Sequence, residues 1–401
     1  MASRRGTPLK SLDESSRPTV AIVTCYFDPE YVRGSVIRAA VERDPSWDTV
    51  SLVNRRRGIA RYPEVLFKLL ALKVRVRPDL IILTFRGQEI LPLVLSIAGK
   101  TPVVFDEFIV PIAYATGESH RRTMAIRIKH GLARLTARRY PGWLSRCAAV
   151  LADTRPHALL SAESSGLPAS KYQVVPVGAD ESIFSPAEGS RLEHHADVFR
   201  VLYYGNMLPL HGLETLLAAA ELLSDDPAIT FLLVGGGKRT ATLSAESVSR
   251  GARIDYVPWI DYHLLPEAIA NADLCLGGPF GGTPQALRVV TGKTFQFLAT
   301  GAPTLIGRSQ ASSDFTDGLD CLIVDQDDPV ALAAKIRGAS RHRDLLPAIG
   351  AGGRALFETR YSTAAIAQTL NSRLHAILDR AGGHHAVPAA SLSSRKNSRT
   401  S

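Results

Sequence analysis

Short, mainly apolar runs alternate along the chain with longer stretches in which apolar positions recur every three or four residues. In the first half the runs fall at 19–26, 49–54, 80–84, 103–105, 148–152 and 172–177. In the second half they fall at 199–204, 229–234, 254–257, 274–276, 304–306 and 321–324. Their β-branched content predicts buried strands, and the periodic stretches between them predict helices. Strand and helix taking turns in this way predicts parallel doubly wound sheets, which bind ligands at the C-terminal ends of their strands. A chain of 401 residues suits two such domains of roughly 150 to 200 residues. A helix, a turn, the strand at 172–177 and a Gly/Asp/Pro-rich exit fill 153–186, and with the polar stretch over 187–197 they divide the series. The expected organisation is a disordered tail over 1–18, a Rossmann-like domain over 19–188, a second over 189–360, a crossover helix over 361–380 and a disordered tail over 381–401.

The stretch Gly277 to Pro303, GGPFGGTPQALRVVTGKTFQFLATGAP, holds the most chemistry. Gly277, Gly278, Gly281 and Gly282 permit a loop that side chains would forbid, Thr291 is placed to cap a helix, and Gly301 with Pro303 ends it. On that helix Lys293, Gln296 and Thr300 share one face, and Phe295, Leu298 and Ala299 share another. A helix start carries unpaired N–H groups and positive dipole, so an ammonium beside it makes a phosphate site. The Gln296 amide, one turn deeper, is suited to a diol. The competing reading makes Lys293 a solvated cation and Gln296 a surface amide. Gly292-Lys293-Thr294 is not a P-loop, because Leu287 stands where that motif needs glycine.

Charge is unevenly spread. Residues 1–186 carry 27 Lys and Arg against 17 Asp and Glu, and 187–401 carry 20 against 21, so the net charge of +9 belongs to the first half. Two basic stretches dominate it, RRRGIARYPEVLFKLLALKVRVR over 55–77 and the arginine-rich 121–139. Both fit anionic lipid headgroups, with a solvated face as the alternative for either alone. The arginines lack interleaved aromatics, which disfavours nucleic acid. No run nears the roughly 18 apolar residues of a spanning helix, and the start lacks the apolar core of a signal peptide. Four scattered cysteines suggest neither a zinc site nor disulfides, so a reducing cytoplasm is expected, with peripheral contact at the inner membrane face.

Asp106 and Glu107 follow a strand and so stand at the mouth of the first sheet, where a carboxylate can orient or deprotonate a hydroxyl or else cap the next segment. The loop 27–35, with Arg33 and Gly34, opens onto the same edge. His130 lies among arginines and reads as a surface residue. In the second half, GNMLPLHG over 205–212 precedes a helix, and Gly235-Gly236-Gly237 is a weak nucleotide signal. Asp325-Gln326-Asp327 looks like a metal pair but, with Asp328 and Pro329, reads better as a helix cap.

Two such domains in succession, the second with a phosphate site, resemble the GT-B architecture. Three motifs in order are similar to those of family 4 retaining glycosyltransferases. Residues 152–186 resemble their hinge, with a Val-Pro-x-Gly-x-Asp turn and a Phe-x-Pro exit; 202–223 look like their first C-terminal loop and helix, and 291–303 like their donor helix. Asn206 and His211 stand near positions where the family usually has Arg and Lys, and Arg288 and Gln296 replace its two glutamates. A subset with an Asn-Lys/Gln-type donor helix, a His-Gly loop and an Asp-x-Phe like Asp106-Glu107-Phe108 is more similar.

The resemblance implies a metal-independent, retaining transfer of a sugar from a UDP- or GDP-sugar to a hydroxyl acceptor, in cell-surface polysaccharide or glycolipid synthesis. The nucleotide sugar is a substrate, so no cofactor is implied. Lys293 and Arg288 would stabilise the diphosphate, and Asp106 would serve the acceptor, a glycan or lipid-linked hydroxyl. Gly205, Asn206, His211 and Gly212 would line the diphosphate, Val257 and Trp259 the base, and Gln296 and Thr294 the donor helix side. The alternatives are a nucleotide-sugar epimerase, which shares the architecture, and a non-catalytic membrane-surface scaffold of glycan assembly.

Overall fold

The computed structural model describes residues 17–26, 31–108, 138–186 and 197–382. The first lobe holds strands β1 (Thr19–Thr24), β2 (Asp48–Val53), β3 (Leu80–Leu83), β4 (Val103–Asp106), β5 (Ala149–Ala152) and β6 (Tyr172–Val174). They form one sheet in the order β2-β1-β3-β4-β5-β6, with every neighbouring pair parallel. The second lobe holds β7 (Phe199–Tyr204), β8 (Ile229–Val234), β9 (Ile254–Val257), β10 (Leu274–Leu276), β11 (Thr304–Gly307) and β12 (Leu322–Val324). Its sheet runs β12-β11-β10-β7-β8-β9 and is parallel throughout. The strand order reverses between β1 and β3 in one sheet and between β7 and β10 in the other. Crevices open beyond the strand ends at such points, which places the ligand sites in advance.

The helices described are α1 (Val32–Glu42), α2 (Arg61–Arg75), α3 (Leu91–Ala98), α4 (Arg155–Ser165), α5 (Leu213–Leu222), α6 (Gly237–Ser249), α7 (Leu265–Ala270), α8 (Gly292–Thr300), α9 (Pro329–Arg341), α10 (Leu346–Leu356) and α11 (Thr363–Gly382). Apolar side chains cover both faces of each sheet, which is why the central strands, such as LIIL in β3, read as unbroken apolar runs. Leu370, Leu374 and Ile377 of α11 belong to the core of the first lobe, beside Ile22 and Ile37, and Asn371 Nδ2 donates to the Ala40 carbonyl at 2.9 Å. The chain thus returns to the first lobe. It does so through a π-turn at Phe357–Tyr361, where Tyr361 packs on Phe295 and stacks on Phe315.

Several expectations are corrected. Strand β6 stops at Val174, short of 177, because the Val175 and Pro176 carbonyls turn aside to accept from the Arg33 guanidinium, the second at 2.9 Å. Arg33 and Gly34 are not loop residues, since α1 begins at Val32. Thr291 occupies the N-cap position of α8, but its hydroxyl donates to the Gly277 carbonyl and caps no helix N–H. Asp328 does cap α9, its carboxylate accepting from Ala331 N at 2.8 Å, while Asp325 is paired with Arg308. Residues 1–16, 27–30, the linker 187–196, 383–401, His130 and most of the basic stretch 121–139 lie outside the described residues, while the last helix runs on to Gly382, two residues into the expected tail.

Candidate functional site

The site is built where β7 and β10 part. The chain leaves β7 into 205–212 and leaves β10 into 277–291, and the two loops meet backbone to backbone. A Cβ on Gly212 (φ +69°) would stand 2.4 Å from the Phe280 carbonyl carbon, and one on Gly281 would stand 2.3 Å from the Pro209 oxygen. Only glycine permits that approach. The Gly281 N–H donates to the Leu210 carbonyl at 3.1 Å and fixes it. Helices α5 and α8 both begin from these loops, so two positive helix ends face one crevice.

Lys293 lies in the first turn of α8 and is 7% exposed. Its Nζ donates to the Tyr203 hydroxyl at 3.2 Å and sits 4.2 Å from the centre of that ring. Tyr203 in turn donates to the His211 carbonyl at 3.3 Å. Gly205 borders the cluster, and a Cβ there would stand in ordinary contact, 3.4 Å from Nζ and 3.6 Å from His211 Cε1. Among the described residues no carboxylate pairs with Lys293, and burial alone pushes its ammonium down from the ordinary 10.5 to about 7. Burial, with Lys293 nearby, pushes His211 down to about 2, so its imidazole is neutral, and its Nδ1 is buried without a partner. A buried ammonium beside a neutral imidazole, with no carboxylate paired to it among the described residues, is an arrangement that an anionic ligand would complete. The solvated-cation reading of Lys293 is thereby excluded.

Other expected residues fall differently. Gln296 is buried, and both ends of its amide are engaged: Oε1 accepts from Tyr204 at 2.6 Å, and Nε2 donates to Tyr262 at 3.0 Å. The free amide read from the sequence is therefore corrected to one already spanned by two tyrosines. Thr294 is fully buried against Gly277, which removes it from the ligand surface. Asn206 is exposed on the first loop, and Gly205 N donates to the Val234 carbonyl at 3.0 Å. The Val257 carbonyl accepts from Gly235 N at 2.9 Å, while Trp259, just beyond β9, is 76% exposed.

Arg288 is not part of the Lys293 cluster. It lines a separate cavity of about 760 Å³ between the lobes, with Asp153, Thr154, Arg155 and Phe315 among its walls. Its carbonyl accepts from the Thr154 hydroxyl at 3.2 Å, a direct tie from one lobe to the other. The same hydroxyl accepts from His157 N and caps α4.

Asp106 is corrected most sharply. It is fully buried and accepts from Arg33 Nη2 at 2.7 Å and from Nε at 3.1 and 3.2 Å. Burial raises its pKa while the guanidinium pulls it down. A carboxylate held on that many bonds cannot serve as a base on an incoming hydroxyl. It fixes Arg33, which ties the end of β4 to the chain leaving β6. Glu107 is also buried, held at 2.8 Å by the Tyr140 hydroxyl. Reading the sequence placed Arg33 near this edge but missed its pairing with Asp106, and it missed Tyr203, Tyr204 and Tyr262 and the buried pair Asp153–His157 at 2.6 Å. The tyrosine doublet ending β7 was a usable signal, since alternation sends one ring to each face of the sheet.

Among the described residues no three His, Cys, Asp or Glu side chains converge as metal ligands, and no helix is long and apolar enough to cross a membrane.

Residues 214–372 match a sequence family described as glycosyl transferase-like. Over 148 residues, 32% of this chain, it is 32% identical to WcaI of Escherichia coli K12, which carries the name colanic acid biosynthesis glycosyl transferase. Over 216 residues, 50% of this chain, it is 27% identical to the D-inositol 3-phosphate glycosyltransferase of Geodermatophilus obscurus. These matches span 36% and 47% of the two relatives, less than half of either. Among solved structures, Anabaena HepE in complex with UDP-glucose superposes with a TM-score of 0.66 at 14% identity, covering 89% of this chain and 99% of that one. At that identity the likeness speaks to architecture: two Rossmann-like sheets facing a cleft, the GT-B fold.

Proposed function

We propose that the chain is a glycosyltransferase that takes a sugar from a UDP- or GDP-sugar to a hydroxyl acceptor, with retention at the anomeric carbon and without a metal. The observation that carries this reading is Lys293, an ammonium buried, among the described residues, without a carboxylate at the meeting of two glycine loops and two helix N-termini. A diphosphate is the anion that such a pocket fits. Support also comes from the names of the relatives, two of them glycosyltransferases, and from HepE, which was solved with UDP-glucose.

In this reading the bond between the sugar's anomeric carbon and the diphosphate oxygen breaks as the acceptor oxygen bonds to that carbon. The acceptor's proton passes to the departing diphosphate, and the nucleoside diphosphate leaves. The protein's main task is to hold the growing negative charge, which a preplaced cation and N–H groups in a dry pocket do without rearrangement. Lys293 and His211 hold the diphosphate, Asn206 and the Gly205 and Gly212 backbone shape the loop around it, and Trp259 and Val257 flank the base. Gln296 acts from behind, setting Tyr262 through their shared hydrogen bond. The acceptor enters from the first lobe, with Arg288 and Arg155 facing it across the interlobe cavity. Cell-surface polysaccharide or glycolipid synthesis is the setting that the WcaI name favours.

The test is a panel of radiolabelled UDP- and GDP-sugars with polyprenyl-phosphate-linked and free glycan acceptors, the anomer of any product being read by NMR. An α-linked product from an α-donor supports the reading. An inverted product removes retention, and conversion of the donor sugar with no acceptor present replaces transfer by epimerisation.

A further inference from the structure

Helix α2 carries two apolar stripes. Val65 and Leu69 are buried, with Leu66 and Leu72 packed behind them against the first lobe. On the opposite side Pro63, Phe67, Leu70, Ala71 and Val74 follow one another at helical spacing and point outward. Phe67 is 73% exposed, Val74 68%, and Ile59 in the turn before the helix 82%. A helix on a water-facing lobe keeps that side polar, and a contiguous apolar ridge marks an interaction surface.

Its surroundings are strongly basic. Between Arg55 and Arg77 stand eight Lys and Arg and a single acid, Glu64. That acid is already engaged by the N–H groups of Arg55 and Arg56, at 2.9 and 2.8 Å, and by Lys68. Arg55, Arg56 and Arg57 lie exposed at one end of the ridge, and Arg75 and Arg77 at the other. Long cationic side chains bracketing a protruding ridge of Phe, Leu and Val fit acyl chains beneath anionic headgroups, with the guanidinium groups reaching back to the phosphates.

We infer that α2 and the turn before it seat the first lobe on an anionic lipid bilayer. The orientation follows from the fold. The start of α2 lies beside the first sheet's crevice, because Cys25, just past β1, donates through its thiol to the Arg61 carbonyl at 4.0 Å. Docking by this ridge therefore brings the crevice of the first lobe to the level of the headgroups. None of this requires sugar transfer, so the two readings stand or fall separately.

The experiment is flotation of the full chain with phosphatidylcholine vesicles, with and without phosphatidylglycerol. Wild type should float only with the anionic vesicles. The variant Ile59→Ser/Phe67→Ser/Val74→Ser should fall to the background level, with its circular-dichroism melt unchanged because the three side chains are exposed. Arg55→Ser/Arg56→Ser/Arg57→Ser should weaken binding by roughly fivefold for each arginine removed. Equal flotation of the triple-serine variant would move the contact elsewhere and overturn the inference, as would no flotation of wild type. A wild-type dimer that the triple-serine variant loses would make this face a protein interface instead.

Discussion

Replacing Lys293 by Met should do two things of opposite sign: stabilise the unliganded protein and abolish nucleotide binding. Burial takes the ammonium from 10.5 to about 7. At 1.36 kcal/mol for each pH unit that depression is a burial cost of about 5 kcal/mol. The Tyr203 ring under Nζ offsets about 1 to 2 kcal/mol of it. The sign with pH is fixed. Between about 7 and 10.5 the unfolded chain holds a proton that the folded one lacks, so wild-type stability rises with pH across that window. The advantage of the Met variant is therefore largest below pH 7 and shrinks as pH rises. A net gain of about 3 to 4 kcal/mol near pH 6 corresponds to a rise in Tm of roughly 6 to 16 °C for a lobe of this size. UDP should raise the Tm of wild type and leave that of the variant unchanged. Wild-type affinity for UDP should fall as pH climbs past about 7, because the charged form is what binds. A Met variant that melts lower than wild type, or that keeps the UDP shift, would refute the reasoning.

Gly212→Ala places a Cβ 2.4 Å from the Phe280 carbonyl carbon at a positive φ, so the two loops must part; thermal melts should show a loss of at least about 2 kcal/mol, together with lost UDP binding. Asp106→Asn strands the buried Arg33 charge and should cost about 3 to 5 kcal/mol in urea unfolding, whereas Arg33→Met/Asp106→Leu should recover most of it. If Asp106 were instead a general base, the Asn variant would keep its stability and lose only turnover. Among the described residues Trp259 is the most exposed large hydrophobic residue after Ile59, and nucleotide binding should quench its fluorescence; Trp259→Ala should lose about 1 to 3 kcal/mol of UDP affinity, read by calorimetry.

The strands were legible because parallel sheets buried on both faces leave unbroken apolar runs. The bounds of β7, β8, β9 and β10 were placed to the residue, although Arg200 interrupts β7 and Asp255 interrupts β9. The place of Lys293 in the first turn of α8 was legible because Gly301 and Pro303 end the helix and a glycine loop precedes it. What escaped depended on pairing over long separations. Arg33 and Asp106 are 73 residues apart, and nothing local says that they neutralise each other, so each looked available. Gln296 looked free for the same reason, since its partners Tyr204 and Tyr262 come from the ends of other segments. Thr294 was misjudged because the sequence marks a helix face but not how closely Gly277 lets it approach. The ridge on α2 was read for its charge, while the outward turn of Phe67 and Val74 needed the fold.

Nuclear magnetic resonance of the lysine ε-carbons tests the central claim most directly, with Lys293 assigned by the signal that its Met variant lacks. The free protein should show one lysine titrating near 7, and saturating UDP should raise that value by about 1 to 3, as a bound diphosphate holds the proton in place. A Lys293 signal that titrates as an ordinary lysine, or that UDP leaves where it was, would contradict the account.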